Sequence, residues 1–166
     1  MRKSFFTLGL FLLASCGGDS VSLNVNDVVG IAPGNKEGSG LSGDYSAQLT
    51  TTSDGCKNIP FLNVPPKGTV EVVEVSVEHA EGSIAFKNVS QPLFGGVNFD
   101  NQFHVGGAGT LSRGTQQNNI LELVNLEGTF KTANEFEGKG FKRFTGVLDT
   151  LDVDCIVSFQ LSGIRK

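Results

Sequence analysis

Several residue types are scarce in this chain, and each shortage argues against a class of protein. The 166 residues include no Trp, one Tyr, one Met and two His. The missing Trp disfavours an immunoglobulin-type sandwich, which is built around a core Trp. His79 and His104 have no second ligand at metal spacing beside them, so we expect no metal site and no histidine-dependent catalysis.

Positive charge is also scarce. The formal net charge is −4 at pH 7, and Arg2 and Lys3 lie in a segment that we expect to be removed, which leaves the mature chain more acidic. Because nucleic-acid binding needs a basic face, we expect no nucleic-acid partner. Lys139, Lys142 and Arg143 form the one basic group of interest. We interpret it as the exposed face of a strand rather than a site for lipid headgroups or an anionic glycan.

Motifs for enzymatic chemistry are missing as well. The chain has no Gly-x-Ser-x-Gly sequence and no His placed to activate a nucleophile, so we expect neither an enzyme nor a cofactor. The glycine-rich run 106–109 is not followed by a helix, which favours a hairpin loop over a phosphate site. Asp152 and Asp154 share one strand face, and we interpret them as a solvated acidic surface rather than a calcium site.

The longest apolar run covers residues 5–14, about half of the roughly twenty residues that a membrane-spanning helix needs. Arg2 and Lys3 precede it, so the segment reads as the charged and apolar parts of a signal peptide. The following residues, Leu13-Ala14-Ser15-Cys16, resemble the lipobox of bacterial lipoproteins. This resemblance implies cleavage between Ser15 and Cys16. The alternative is an ordinary signal peptide with an incidental cysteine.

The lipobox resemblance also implies a location. It predicts diacylglycerol and palmitate on Cys16, and two or three acyl chains anchor a protein firmly where one holds it only transiently. Gly17 takes the place of the Asp that resembles an inner-membrane retention signal in enteric lipoproteins. We therefore expect a protein of the cell envelope that is attached to the outer membrane by lipid, with its periplasmic or outward orientation left open.

Composition divides the chain into three parts: a signal peptide at 1–15, a tether with the lipidated cysteine at 16–43, and a domain at 44–166. The tether is rich in Gly, Ser and Asn and cannot bury enough apolar surface to fold alone. As a random coil of this length it would reach about 30 Å.

The domain shows alternating apolar and polar residues, with no sustained helical stripe. The alternation is clearest at 151–161, and at 124–131 it sets Val124, Leu126 and Phe130 against polar neighbours. At 70–78 the phase slips by one residue, which predicts a β-bulge. We predict an all-β, antiparallel up-and-down barrel or rolled sheet of seven to nine strands, with a β-sandwich as the alternative.

Gly43-Asp44-Tyr45 resembles the Gly-x-Trp opening of lipocalin-like barrels, with Tyr in place of Trp. That resemblance implies a carrier of a small apolar ligand. The phenylalanines of the domain argue for a filled interior, because six of them fall mostly on the apolar faces of predicted strands: Phe86, Phe99, Phe103, Phe130, Phe136 and Phe159. A filled barrel favours a structural or protein-interaction module with a partner in the envelope, so the carrier is kept as the alternative.

Two cysteines remain once Cys16 is assigned to lipid. In an exported protein we expect Cys56 and Cys155 to form a disulfide. This bond would join the start of the domain to its last strand, where a closed barrel meets itself.

Overall fold

The computed structural model describes residues 40–59, 62–80, 82–113, 116–148 and 151–166. The predicted signal peptide, the cleavage site, Cys16 and the tether up to residue 39 lie outside these residues. Within the described residues, no helix is long and apolar enough to cross a membrane.

Eight antiparallel strands, in sequence order, pair with their neighbours and close into a barrel. This confirms the up-and-down barrel and rules out the sandwich. The strands are β1 (Gly43–Asp54), β2 (Val70–Ala80), β3 (Ser83–Lys87), β4 (Leu93–Val97), β5 (Gln102–Arg113), β6 (Gln116–Thr132), β7 (Glu135–Leu148) and β8 (Leu151–Arg165).

The barrel has two unlike ends. At the near end, β1 begins beside the turns that follow β2, β4 and β6, and β8 finishes there. At the far end lie the long β1–β2 connection and the turns that follow β3, β5 and β7. Because β3 and β4 have five residues each while β5 to β8 have 12 to 17, the long strands extend past the short ones.

Aromatic side chains fill the near half of the barrel. Phe86, Phe103, Phe130, Phe136 and Tyr45 are almost completely buried, and their rings contact one another with centroids 5.2 to 6.1 Å apart. Most of these pairs are tilted or edge-to-face, which is the arrangement that the ring quadrupoles favour. The prediction that phenylalanines occupy the interior is therefore confirmed for this half.

Tyr45 ties the entry of the chain to the barrel. Its hydroxyl lies 2.8 Å from the carbonyl oxygen of Leu41 and 2.9 Å from that of Ala133 in the β6–β7 turn. Leu41 is itself buried in the core, although composition places it in the tether. Gly43 leaves room for a guanidinium group, since a Cβ there would lie 2.6 Å from Nε of Arg165. Arg165 in turn donates to the Gly40 carbonyl oxygen at 2.9 Å.

A second, smaller core closes the far end. Ile120, Phe144, Val153 and Val157 pack there with Cys56, and the β1–β2 connection adds half-buried apolar residues, which are Ile59, Leu62 and Val64. Cys56 and Cys155 form the predicted disulfide across 99 residues, with their Cα atoms 5.2 Å apart. β1 pairs with β8, so the bond lies where the first strand meets the last.

Three local expectations are wrong. Phe99 lies in the β4–β5 turn and is 75% exposed, because Asn98 Oδ1 accepts hydrogen bonds from the backbone of Asp100 and Gln102 and bends the chain. The glycine-rich run 106–109 is not a hairpin loop but the middle of β5. The β1–β2 register runs without a shift, so β2 has no bulge at 70–78 in that pairing and Val70 and Val72 are simply exposed.

The glycine run lies inside β5 because another segment packs against it. A Cβ on Gly107 would lie 2.8 Å from both the Pro92 carbonyl oxygen and the Leu93 side chain. A Cβ on Gly109 would lie 2.3 Å from Oε1 of Gln91. The β3–β4 turn therefore crosses the inner face of β5, which only glycine permits at this distance.

Candidate functional site

The two histidines occupy opposite faces of the barrel. His104 lies on the outer face, as predicted, and its Nε2 is 2.6 Å from the amide nitrogen of Asn125. His79 lies on the inner face opposite Ile84 and its backbone nitrogen donates to Ser42 Oγ at 2.9 Å. Burial lowers the pKa of His79. Among the described residues no group of three or more His, Cys, Asp or Glu is arranged to hold a metal ion.

The residues of the predicted basic face lie on opposite sides of the barrel wall. Lys139 and Arg143 point outward, whereas Lys142 points inward, because successive residues of a strand alternate. Lys139 lies 3.0 Å from Glu127, and Arg143 donates two hydrogen bonds of 2.9 Å to Asp154. Each of these cations is thus paired with a carboxylate, and the segment does not form a continuous basic surface.

Asp152 and Asp154 share the outer face of β8, as predicted, but only Asp154 is held by a cation. Hydrogen bonds from Arg143 lower the pKa of the Asp154 carboxyl group. The same interaction raises the pKa of Arg143. This pair is exposed, so it orients two side chains more than it stabilises the fold.

An ion pair lies on the inner face between the two cores, and sequence reasoning missed it. Glu122 is buried, and its carboxylate lies 3.5 Å from the ammonium group of Lys142, whose side chain is 36% exposed. Glu122 faces inward because it follows the same alternation as Ile120 and Val124. This alternation could have identified Glu122 from the sequence, because it places a charged residue at an inward position of an otherwise apolar face.

A groove of about 920 Å³ lies on the outer face. Two ladders of cross-strand neighbours line it across β1, β8, β7, β6 and β5. The first ladder is Gln48, Ser162, Glu137, Thr129 and Gln102. The second ladder is Thr50, Gln160, Lys139, Glu127 and His104. We call this surface the polar groove.

An aromatic ring borders the polar groove. Phe141 lies between Asn125 and Ser158 in the next row of neighbours and is 38% exposed. A smaller depression of about 490 Å³ contains Phe141 and shares Glu127, Lys139 and Gln160 with the groove. The polar residues and the ring therefore belong to one continuous surface.

Apolar side chains gather on the outer face nearer the far end. Leu123 and Ile156 lie on either side of Arg143, and Leu121 and Val147 lie in the adjoining rows near Asp154. We call Leu121, Leu123, Val147 and Ile156 the apolar patch. Leu121, Val147 and Ile156 are 36%, 45% and 44% exposed. Leu121 is nine residues along β6 from Phe130 at the near end, which corresponds to roughly 30 Å of strand.

These outer surfaces of the barrel are accessible for recognition. β6, β7 and β8 are paired on both sides over most of their length, whereas β5 pairs with β4 only from Phe103 to Gly106 and with β6 along most of its length. No protein-family profile matches the chain, and a search of curated proteins finds no match.

Proposed function

We propose that this protein is an envelope lipoprotein, anchored by lipid on Cys16 to the outer membrane, whose barrel acts as a protein-interaction module. The proposal rests on the lipobox-like sequence and on how the barrel distributes its apolar side chains. The near half of the interior is filled by aromatic rings, and further apolar side chains are left on the outside.

The observation that carries the proposal is the position of the apolar patch. The chain enters the barrel at the near end, through Leu41 and Gly43, so the proposed tether joins the barrel at that end. The patch lies toward the far end, on the side of the barrel away from the attachment point of the tether. Exposed aliphatic side chains around an oriented arginine are typical of the centre of a protein interface.

A carrier of a small apolar ligand remains the second candidate, supported by the Gly43-Asp44-Tyr45 opening. Tyr45 is buried at the start of β1, opposite Arg165. Against the carrier, a cluster of five packed aromatic rings occupies the space that a ligand would need in a barrel of this size. The interaction module therefore fits the interior better.

Site-specific photo-crosslinking in the native envelope tests the interaction module. A photoreactive amino acid at Ile156 or Leu121 lies in the apolar patch, and one at Ser76, on the outer face of β2, serves as the matched control. We expect one discrete protein adduct from both patch positions and none from Ser76. Equal labelling from all three positions, or labelling of lipid alone, would contradict the proposal.

Anchoring is tested separately with Cys16→Ser. We expect this variant to lose label from palmitate and to leave the detergent phase during phase partitioning. A variant that still carries label and partitions like the wild type would show that another residue provides the anchor.

A further inference from the structure

The polar groove has a composition unlike that of the rest of the surface. Most of its ladder residues carry an amide or a hydroxyl group, and three of them are glutamines, which are Gln48, Gln102 and Gln160. Each glutamine amide has two N–H donors and one carbonyl acceptor, and the Gln102 side-chain carbonyl oxygen already accepts a hydrogen bond of 2.9 Å from Asn98. These groups can form paired hydrogen bonds with neighbouring hydroxyl groups of a ligand, with no charge on either side.

The charges in the groove cancel. Glu127 lies 3.0 Å from Lys139 inside the groove, and Glu137 lies 2.6 Å from Lys131 beside it. Each carboxylate therefore has its own ammonium group, and the groove carries no excess charge to attract a phosphate, a sulfate or a basic peptide. This neutrality points to an uncharged ligand.

The shape of the groove gives its direction. The two ladders cross five strands, and four steps between strands of about 4.8 Å make a length of roughly 19 Å. An extended ligand would lie across the strands rather than along them. Where they line the groove, these strands are paired with neighbours on both sides, so side chains and not backbone groups must hold the ligand.

Phe141 supplies an apolar face beside these polar groups. A sugar ring has one face of C–H groups, and that face packs against an aromatic ring while its hydroxyl groups reach outward. Phe141 is flanked by Asn125 and Ser158, whose polar groups can meet such hydroxyls. This combination does not suit a lipid acyl chain, which has no groups that form hydrogen bonds with amides.

We propose that the polar groove binds an uncharged, linear glycan of hexose or N-acetylhexosamine units, with one sugar ring on Phe141 and its neighbours bonded to Gln160 and Gln48. The N-acetyl amide would find partners among the glutamines. This site adjoins the apolar patch, since Phe141 is two residues along β7 from Arg143, but it does not depend on the protein partner proposed above.

Isothermal titration calorimetry of the full-length protein in detergent tests the proposal, with chitohexaose and maltohexaose as probes. We expect saturable binding of at least one probe, with affinity unchanged between low salt and about 0.5 M NaCl because no charge is involved. Failure of both probes to bind at millimolar concentration would overturn the proposal. So would binding that salt abolishes.

Matched variants locate the binding. Phe141→Ala and Gln160→Ala are expected to weaken binding of the probe at least tenfold. Phe94→Ala removes an exposed ring from the outer face of β4, outside the groove, and Thr110→Ala alters β5 beyond it, so both are expected to bind like the wild type. Equal affinity in all four variants would overturn the assignment of the groove, as would a photo-crosslink from Gln160 to a protein in the native envelope.

Discussion

Glu122 and Lys142 form an ion pair on the inner face of the barrel, 3.5 Å apart, between two separate apolar cores. Their side chains are 9% and 36% exposed, so the carboxylate is taken out of water while the ammonium group keeps part of its hydration. The Glu122 carboxylate therefore depends on the Lys142 ammonium group to offset the free-energy cost of removing its charge from water.

Lys142→Met is expected to lower the free energy of unfolding by about 1–3 kcal/mol, because it leaves the Glu122 carboxylate buried without its partner. Urea denaturation measures the change. Lys87→Met is the matched control, since it breaks an exposed pair with Glu78 that is worth about 0–1 kcal/mol. Equal losses in the two variants would refute the special role of the inner pair.

The double variant Glu122→Leu with Lys142→Met is expected to recover most of that loss. Replacing both members of a buried pair with apolar residues is often neutral or stabilising. A double variant less stable than Lys142→Met alone would indicate that the carboxylate has a further structural partner.

Phe136→Ala and Phe99→Ala compare the same substitution in two environments. Phe136 packs against four aromatic rings in the near core, and its loss is expected to cost about 3–5 kcal/mol. Phe99 is 75% exposed in a turn, and its loss is expected to change stability by less than about 0.5 kcal/mol. Thermal or urea unfolding followed by circular dichroism checks both values.

Loss of the disulfide is expected to destabilise the barrel strongly. It closes a loop of about 100 residues, for which chain entropy gives an upper value of about 4.7 kcal/mol. Cys56→Ser combined with Cys155→Ser is therefore expected to lower the urea midpoint while the strand content at neutral pH stays the same. A midpoint equal to that of the oxidised wild type would contradict this prediction.

The free energy of unfolding is expected to decrease as the pH falls, and protonation of His79 is expected to contribute to this decrease. Burial lowers its pKa in the folded state, so below the unfolded value of about 6.5 the unfolded chain binds more protons. The free energy of unfolding then decreases as the pH falls from about 7 toward 5. His79→Gln removes this contribution, and its stability is expected to depend less steeply on pH over that interval, with parallel curves above pH 7.5. Parallel curves throughout would contradict the assignment.

The fold was predictable where the alternation of side chains is unbroken. Along β8, Val153, Val157, Phe159 and Leu161 are buried, as the period of two requires. Around Phe99 the same period continues into a turn, and the bend is caused by hydrogen bonds to the Asn98 side chain rather than by apolar patterning. A local pattern therefore identifies strands better than it identifies their ends.

The polar groove was not predictable, because it depends on register. Gln48 and Gln102 lie in one ladder although three further strands separate them, and a shift of one residue in any pairing would move a whole strand's side chains to the other face. The alternation of β6 predicts the inner position of Glu122, but the sequence places its partner Lys142 next to Lys139 and Arg143, which lie on the opposite face of β7.

The central claim, that aromatic rings fill the near half of the barrel in place of a ligand and that the protein acts through its outer surface, is tested most directly by native mass spectrometry. The full-length chain with Cys16→Ser would be purified from the envelope without detergent. We predict the mass of the polypeptide alone, with the near half of its interior filled by its own aromatic rings. A stoichiometric lipid or other small apolar molecule retained in the gas phase would contradict the account and favour the carrier.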